Sequence, residues 1–462
     1  MRSQYDVVIV GSGPAGIFAA LELTQATGLS VLLLEKGKDL HLRNCPIIGR
    51  ELSCPPCVPC GLVSGWGGAG AFSDGKLTLT PKVGGQLERY LGLEKATDLI
   101  RYVDDIYLRF GASHEMYGNG PEVEQLARKA ESAGLRLIPM PIRHLGTELC
   151  RDVLKEMHRF LDSRIESQTD TAAASIIIED GVVTGVETED GRQIGSRYLV
   201  IAPGREGADW LLKEAGRLGL TLHNNPVDIG VRVEIPLAVL EELTDVLYEV
   251  KLEFHSPTFG DRIRTFCMCP AGEVTMETTG GSDQVITVNG HSYSHHKTEN
   301  TNFALLVSAS FSPPFREPIG YGRYLARLAN IISGGVIVQR WGDLNEGHGS
   351  TSISIEDGAV EPTLRSATAG DVGYVMPYRF LKGISEMLTA MDRLAPGVAS
   401  PDTLLYGVEV KFYSSRLELT ENLETEITNL FAIGDGAGVT RGLIQAATSG
   451  VVAAREIAKR VS

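Results

Sequence analysis

The sequence has little that would suit a membrane or a polyanion. No apolar run approaches the roughly 18 residues that cross a bilayer, and the apolar run that follows Met1 is too short for a signal peptide. Acidic residues outnumber basic ones by 58 to 43, which gives a formal net charge of -15. Phosphate binding would require a basic face, which this balance disfavours. We expect a soluble, cytoplasmic protein with no transmembrane segment and no nucleic-acid partner.

Tandem repeats and low-complexity tracts are also absent. The hydrophobic fraction is 43% and the charged fraction is 22%, which is ordinary for a globular protein with a sizeable core. A chain of 462 residues fits either about three domain-sized units or one large two-domain enzyme.

The first 35 residues carry the order strand, glycine turn, helix, strand. An apolar run at 5–10 leads into Gly11-Ser12-Gly13-Pro14-Ala15-Gly16, and a second run at 31–34 ends in Glu35. This order is the complete fingerprint of a dinucleotide-binding βαβ unit. The sequence therefore predicts a bound dinucleotide.

Each position of the fingerprint has a physical role. Gly11 allows the tight turn, Gly13 lets a pyrophosphate approach the backbone, and Gly16 lets the helix pack against the strand. The helix N-terminus begins at Pro14 and Ala15, and its first turn offers free N–H groups from the residues other than proline and a partial positive charge to the phosphates. Glu35 is placed to accept hydrogen bonds from ribose hydroxyls, and Lys36 beside it is a further candidate contact with the cofactor.

Later segments indicate further strands of the same domain. Two Asp-Gly turns, at 180–181 and 190–191, separate the apolar runs 176–178, 182–186 and 198–202. This pattern predicts a three-stranded meander. The last run leads into a turn where Ala202 and Gly204 could approach a cofactor.

The run 430–438 is an apolar strand that enters a glycine turn, and an alanine-rich helix follows it. Gly434 and Asp435 in this turn resemble the second FAD signature of the glutathione-reductase-like flavoproteins. The resemblance implies FAD, with Asp435 on the ribityl chain. It also places the next helix N-terminus, at Gly442, Leu443 and Ile444, at the pyrimidine edge of the flavin.

A narrower resemblance covers essentially the whole chain. The stretches 67–77, 143–147, 266–270 and 288–291 are similar to a poorly characterised family of bacterial and archaeal FAD-dependent dehydrogenases. The resemblance implies the fold and the cofactor, whereas the substrate does not carry over.

The implied fold class is α/β, with a Rossmann-like FAD-binding domain of the glutathione-reductase type and an inserted β-rich α+β substrate domain. We expect the FAD-binding domain to comprise 1–225, with a cysteine-rich insertion at 41–63, together with 376–462. The substrate domain is expected at 226–375, where alternating apolar and polar residues predict strands.

Two motif matches in the loop 65–77 do not hold. Residues 65–70 fit a second dinucleotide motif, but no strand precedes them and no acid closes a following strand. Residues 70–76 fit a P-loop, but Leu77 stands where Ser or Thr would bind magnesium. We interpret the segment as a loop beside the cofactor, with a plain structural loop as the alternative; the candidate contacts are Gly67, Gly68, Ala69, Ser73 and Asp74.

Two features of the reductase relatives are missing. The chain has one complete βαβ fingerprint, so NAD(P)H is expected only as a transient reductant, unless the substrate itself supplies the electrons. The CxxxxC disulfide after the first helix is absent as well, which disfavours thiol-disulfide exchange beside the flavin.

Four of the seven cysteines, Cys45, Cys54, Cys57 and Cys60, fall within 16 residues. Their spacing suits an iron-sulfur cluster, a structural zinc ion or free thiols. A cluster near FAD would give a one-electron route to an electron-transfer partner.

Candidates for proton transfer and substrate orientation come from polar residues within or near the family-like stretches, with a structural role as the alternative for each. They are Cys267, Asn289, His291, His144 and Arg264.

The sequence favours an FAD-dependent oxidoreductase, a dehydrogenase or reductase, that moves hydride through flavin N5 to or from a small organic substrate. One alternative is a flavin monooxygenase or oxidase that uses free NAD(P)H and oxygen. Another is a non-catalytic protein in which FAD is structural.

Overall fold

The computed structural model describes residues 3–26, 28–45, 57–73, 75–223, 225–279, 284–292, 297–309, 317–411 and 416–461. The strands are β1 Gln4–Val10, β2 Val31–Leu34, β3 Lys76–Thr78, β4 Arg136–Leu137, β5 Ile142–His144, β6 Glu166–Gln168, β7 Ala173–Glu179, β8 Val182–Thr188, β9 Gln193–Ile201, β10 Leu222–His223, β11 Val227–Pro236, β12 Leu252–His255, β13 Arg262–Cys269, β14 Glu273–Thr279, β15 Val285–His291, β16 Asn300–Ala309, β17 Ile337–Arg340, β18 Thr368–Ala369, β19 Leu404–Lys411, β20 Arg416–Leu417 and β21 Leu430–Ala432.

The helices alternate with these strands along the chain. They are α1 Pro14–Leu23, α2 Leu87–Leu91, α3 Leu93–Arg109, α4 Pro121–Ser132, α5 Gly146–Asp162, α6 Ala208–Leu218, α7 Glu241–Leu247, α8 Pro318–Ser333, α9 Trp341–Glu346, α10 Ser352–Glu356, α11 Tyr378–Leu394 and α12 Leu443–Val461.

The chain divides into two compact units. The first unit comprises Met1–Met116, Ile142–His223 and Ser414–Ser462, and the second comprises Tyr117–Pro141 and Asn224–Tyr413.

The first unit is built on a parallel sheet in which β6, β2, β1 and β9 are successive neighbours. Both β1 and β2 are nearly continuous apolar runs with buried side chains, as expected for strands covered on both faces. The far edge of β9 is shared by antiparallel β8 near its start and parallel β21 near its end. Because β7 pairs with β8, the predicted meander is confirmed.

The parallel strands of this sheet end at one level. Val10 is in register with Leu34 of β2 and Ile201 of β9, and Ile201 is in register with Ala432 of β21. The turns that follow β1, β2, β9 and β21 therefore meet at a single edge, where α/β sheets bind ligands.

Two helices in the first unit pack unusually closely. A Cβ atom on Gly450 of α12 would lie 2.1 Å from the Ala15 carbonyl oxygen and 2.8 Å from the Ala19 nitrogen, both on α1. The alanines of α12 permit the same approach along its length. The last helix therefore fixes the first one over the sheet.

The second unit is built on a sheet with the strand order β18-β17-β19-β11-β16-β13-β12-β4. Its neighbours are antiparallel except β17 and β18. Along β11, Val227, Ile229, Val231, Val233 and Ile235 belong to the apolar core, which also contains residues of α8 and α11.

The opposite face of that sheet is also buried, although it is polar. Asp228, Arg232 and Glu234 alternate with the apolar residues of β11 and are at most 1% exposed. The hairpin formed by β14 and β15 covers this face. Gly290 lies against the Arg232 guanidinium, since a Cβ atom there would be 2.2 Å from Arg232 Nη1.

The predicted fold class, a Rossmann-like α/β domain with a β-rich second part, is confirmed. The domain bounds differ from the expected 226–375, because the second unit continues to Tyr413 and also takes in Tyr117–Pro141. The physical reason is strand pairing: β19 lies between β11 and β17 within the sheet, and β4 pairs with β12 at its edge. Within the described residues, no helix combines the length and the apolarity that a bilayer crossing requires.

The close packing of α12 on α1 predicts a large loss of stability when Gly450 gains a methyl group. We expect Gly450→Ala to lower the free energy of unfolding by about 1–3 kcal/mol, because the helices must separate. The matched control is Gly216→Ala on α6, where an added Cβ meets nothing within 4 Å; this change should stabilise the protein by about 0.5–1 kcal/mol. Urea unfolding of both variants tests the difference, and equal effects would contradict it.

Candidate functional site

In the first glycine turn, Gly11 and Gly16 pack tightly against neighbouring backbone atoms, whereas Gly13 at the centre has free space beside it. A Cβ atom on Gly11, whose φ is +104°, would lie 2.1 Å from the Ala202 oxygen, and one on Gly16 would lie 1.9 Å from the Gly11 oxygen. At Gly13 the nearest atom to an added Cβ is Gly68 Cα, at 3.9 Å. Pro14 begins α1, and no side chain caps this helix. The turn therefore leaves room and amide donors for a phosphate group.

Glu35 ties the end of β2 to this turn. Its Oε2 accepts hydrogen bonds from the Ser12 amide at 2.9 Å and the Ser12 hydroxyl at 2.8 Å. Its Oε1 accepts from the Gly37 amide at 2.8 Å and the Gly65 amide at 2.9 Å. Because the Ser12 hydroxyl can rotate away while the three amides cannot, it is the donor that a ribose hydroxyl could replace. The predicted ribose contact of Glu35 stays a prediction.

Lys36 forms an ion pair with Glu206. Burial lowers the pKa of the Lys36 ammonium, although the Glu35 carboxylate beside it acts in the opposite direction. Its predicted contact with the cofactor is not tested by this geometry.

Arg43 is the residue in this region that sequence reasoning missed. The side chain is 4% exposed and donates to the carbonyl oxygens of Trp66 and Gly68, both at 2.7 Å. It also donates to the carbonyl oxygens of Gly61 and Leu62. Burial lowers the pKa of Arg43 to about 10. Its position in the cysteine-rich insertion, away from any motif, gave no signal of this role.

The loop held by Arg43 lies directly against the glycine turn. The Gly67 amide donates to the Ser12 oxygen at 2.8 Å, and a Cβ atom on Gly68 would lie 2.9 Å from Gly13 Cα. Ala69 is exposed, and the Ser73 hydroxyl donates to the Gly70 oxygen at 2.9 Å. Asp74, also predicted as a cofactor contact, lies outside the described residues.

The C-terminal glycine turn meets the turn after β9. A Cβ atom on Gly436 would lie 2.3 Å from the Gly204 oxygen, and one on Gly434, whose φ is +76°, would lie 3.0 Å from Ala15 Cβ. Burial raises the pKa of the Asp435 carboxyl, and the Thr440 hydroxyl that donates to it at 2.8 Å opposes the shift. Asp435 and Glu35 thus follow strands that end at the same edge of the sheet.

The N-terminus of α12 completes this edge. Gly442 has φ +93°, and an added Cβ there would meet nothing within 4 Å. The Leu443 side chain packs on Gly70, while Ile444 is buried. The Gln445 amide group donates to the Pro81 and Val83 oxygens. The open backbone at Gly13 and Gly442 fits a dinucleotide that extends between two helix N-termini.

Three of the four clustered cysteines are described, and their thiols are free. Cys57 is exposed, whereas Cys45 and Cys60 are partly buried. The described residues contain no group of three or more potential ligands that could hold a metal ion. Cys54 lies outside the described residues, and the zinc or iron-sulfur site stays a prediction.

The predicted catalytic residues are divided between the two units. His144 ends β5 in the first unit, where it is in register with Lys76. The other four lie in the second unit, with His291 exposed at the end of β15. Cys267 has φ +44° at an irregularity of β13, and Arg264 forms an ion pair with Asp228.

Asn289, one of these residues, is hydrogen-bonded to a buried charged centre that the sequence argument had missed. Its amide nitrogen donates to Glu277 at 3.0 Å, and its oxygen accepts from Lys411 Nζ at 3.2 Å. Lys411 lies 3.0 Å from Glu409, which also binds Arg232 through two hydrogen bonds of 2.8 and 2.9 Å.

The buried charges of this centre are balanced by ion pairs and hydrogen bonds within the protein. Arg232 and Glu409 are fully buried, and the Arg232 guanidinium also donates to Asn302 at 2.7 Å. Burial opposes ionisation of Glu409, but Arg232 and Lys411 hold its pKa below the ordinary value. The alternation of polar and apolar residues in β11 was the available signal, since it required a second buried face.

Comparison with protein families gives two matches. Residues 226–412 match the model described as the C-terminal domain-like region of FAD-dependent proteins. Residues 5–50 match the pyridine nucleotide-disulphide oxidoreductase model.

Relatives of the whole chain are distant. An uncharacterised protein of Clostridium beijerinckii is 28% identical over 483 aligned residues, which cover 98% of this chain and 80% of the relative. A quinol-fumarate reductase structure from E. coli is 14% identical with a TM-score of 0.41, covering 99% of this chain and 70% of that one. The L-proline dehydrogenase of P. horikoshii is 11% identical with a TM-score of 0.40, covering 100% and 95%.

The family models agree with the first unit's βαβ turn and with the 224–413 part of the second unit. They mark the protein as an FAD-dependent oxidoreductase. The chain is thus similar to FAD-dependent proteins over 226–412 and to pyridine nucleotide-disulphide oxidoreductases over 5–50, which fits the poorly characterised family of FAD-dependent flavoproteins that the sequence resembles.

Proposed function

We propose that this oxidoreductase is a dehydrogenase or reductase that moves hydride through flavin N5 to or from a small organic substrate. The observation that carries the proposal is the edge of the parallel sheet where the turns after β1, β2, β9 and β21 meet. When bound, FAD supplies the hydride chemistry, and the protein supplies binding, orientation and proton transfer.

The residues of this edge have distinct roles toward the cofactor. The backbone N–H groups that follow Pro14 in the first turn of α1 bind the pyrophosphate. Glu35 binds the adenosine ribose in place of the Ser12 hydroxyl, and Asp435 binds the ribityl chain. The N-terminus of α12, beginning at Leu443, faces the pyrimidine edge, where its partial positive charge stabilises negative charge.

The residues of the second unit offer the polar groups that a substrate needs. Cys267 and His291 carry groups that can exchange a proton, while Arg264 and Asn289 can donate hydrogen bonds that orient a substrate. His144, on the first unit, is a further candidate for proton transfer.

Anaerobic spectroscopy of the FAD-loaded protein tests the proposal. Small hydroxy acids, amino acids and nicotinamides are added separately, and the oxidised-flavin absorption is followed. Bleaching by an organic substrate, with slow recovery in air, supports a dehydrogenase. Rapid oxygen consumption after reduction by NAD(P)H would instead indicate a monooxygenase or oxidase, and bleaching by dithionite alone would indicate structural FAD. Iron and zinc analysis of the same sample tests the cysteine site.

The four hydrogen bonds to Glu35 predict that FAD binding requires both oxygens of its carboxylate as acceptors. Glu35→Gln replaces one acceptor oxygen with an NH₂ group that faces amide or hydroxyl donors. We expect FAD affinity to fall about 10–100-fold, which corresponds to about 1–3 kcal/mol for unsatisfied buried donors. Fluorescence titration of the apoprotein with FAD measures the change. Exposed Glu421 provides the control Glu421→Gln, and equal affinity of the two variants would contradict the role of Glu35.

The carbonyl contacts of Arg43 predict that lysine cannot replace it. A lysine ammonium lacks the planar guanidinium that reaches several carbonyl oxygens at once. We therefore expect Arg43→Lys to loosen the loop at 61–68 and to release FAD at a lower temperature, measured by flavin fluorescence during heating. Arg101→Lys, at an exposed position of α3, is the control. Retention of FAD to the wild-type temperature in Arg43→Lys would show that the contacts do not support the site.

A further inference from the structure

Three cationic side chains converge on one aromatic ring in the second unit. Lys251 Nζ lies 4.8 Å from the centroid of the Phe266 ring, Arg264 Cζ lies at 5.5 Å, and Lys411 Nζ lies at 6.0 Å. All three cations are largely buried: Lys251 is 4% exposed, and the side chains of Arg264 and Lys411 are 17% and 10% exposed. We call these four residues the Phe266 cluster.

The buried carboxylates beside the cluster are already engaged. Asp228 pairs with Arg264, and Glu409 pairs with both Arg232 and Lys411. Within the described part of the chain, no carboxylate oxygen lies within ion-pair distance of Lys251. Among the described residues, and with Arg232 included, four cations lie near two ion-paired carboxylates, Asp228 and Glu409. Glu249 acts on Lys251 without pairing with it, and partly exposed Glu277 lies 3.9 Å from Lys411.

A buried ammonium group without a counterion is unfavourable, because the charge has lost its hydration. Burial, together with the neighbouring Arg264, lowers the pKa of Lys251 to about 7. An anion placed beside the ammonium would remove this penalty. The Phe266 ring offers an apolar surface to the carbon skeleton that carries the anion.

We propose that the Phe266 cluster binds the carboxylate group of a small organic acid, which is the substrate class of this enzyme. The identification as a substrate site rests on the proposed function, whereas carboxylate binding itself does not. Lys251 supplies a charge for which the described residues offer no ion-pair partner, and Arg264 and Lys411 add to the local positive potential. Asn289, which accepts a hydrogen bond from Lys411, adjoins the cluster.

Protonation of Lys251 couples binding to pH. The groups that face it are Arg264 and Cys267 from β13, Asp228 from β11, and Glu249 from the preceding loop. In the free protein Lys251 loses its proton as the pH rises through about 7, and a bound carboxylate favours the protonated form. Binding above pH 7 must therefore take up a proton, and affinity must fall with rising pH.

Isothermal titration calorimetry of the full-length, FAD-loaded protein tests this site. The probes are propionate and benzoate, with propionamide and benzamide as uncharged counterparts and inorganic phosphate as a non-carboxylate anion. We expect at least one carboxylate to bind at least tenfold more tightly than its amide, and more tightly than phosphate. At pH 8, buffers of different ionisation enthalpy should reveal proton uptake that approaches one per carboxylate bound.

The variant Lys251→Met removes the charge and keeps an apolar chain of similar length. We expect it to weaken carboxylate binding at least tenfold and to abolish proton uptake, while Lys129→Met, at an exposed position of α4, changes neither. Melting temperature and flavin content establish that each variant is folded. Lys251→Arg, which stays charged, should bind the carboxylate without the loss of affinity above pH 7. Weak carboxylate binding by Lys251→Arg counts against the proposed role of charge even if Lys251→Met behaves as expected.

Equal binding of acid and amide, tighter binding of phosphate, or unchanged binding by Lys251→Met would overturn the proposal. Its failure is distinct from that of the proposed function. Carboxylate binding that depends on Lys251, without flavin bleaching by any substrate, would retain the site and reject the dehydrogenase. If a carboxylic acid bleaches the flavin equally well in the wild type and in the Lys251 variants, the dehydrogenase is retained and the proposed carboxylate site is rejected.

Discussion

The first unit depends on backbone segments that approach so closely that they leave no room for a side chain. Gly11 touches the turn after β9, Gly16 touches Gly11, Gly436 touches Gly204, and Gly450 touches α1. Except for the Gly16–Gly11 contact within the first turn, each contact brings together segments from different parts of the chain. The result is a narrow edge in which the turns are fixed by packing before any cofactor is bound, so the ordering cost of binding is reduced.

The two acids at this edge are held in different ways. Glu35 is compensated by four protein donors and connects the glycine turn to the loop that Arg43 supports. Asp435 has fewer partners, and burial raises the pKa of its carboxyl. Glu35 therefore stabilises the protein part of the site, whereas Asp435 has more to gain from hydroxyl donors supplied by a ligand.

Patterns that are local in sequence were sufficient to predict much of the first unit. The run 5–10, the glycine turn and Glu35 lie within 35 residues, and the Asp-Gly turns of the meander fix neighbouring strands. Pairing between distant strands was not predictable in the same way. Strand β19 begins 29 residues beyond the expected boundary at 375 but lies inside the second sheet, since β11 pairs with it.

The residues of the candidate site also differ in whether a local sequence pattern could predict them. Gly11, Gly13, Gly16 and Asp435 belong to motifs whose spacing has a physical meaning. Arg43 acts through carbonyl oxygens, which every residue possesses, so no pattern of side chains reveals its partners. The second unit's charged centre combines β11, β16 and β19, and only their register brings Arg232, Asn302 and Glu409 together.

The buried charges of the second unit differ in whether the protein gives them a partner of opposite charge. Arg232 has a carboxylate in bidentate geometry and an amide oxygen, so its charge is accounted for by the protein, and removing any partner would mainly affect stability. Lys251 is buried to a similar degree, but it lies over an aromatic ring, and the nearby Arg264 lowers the pKa of its ammonium while Glu249 and Asp228 act in the opposite direction without pairing with it. On the proposal above, its charge is used when an anion binds, which is the physical difference between a structural ion pair and a group that binds a ligand.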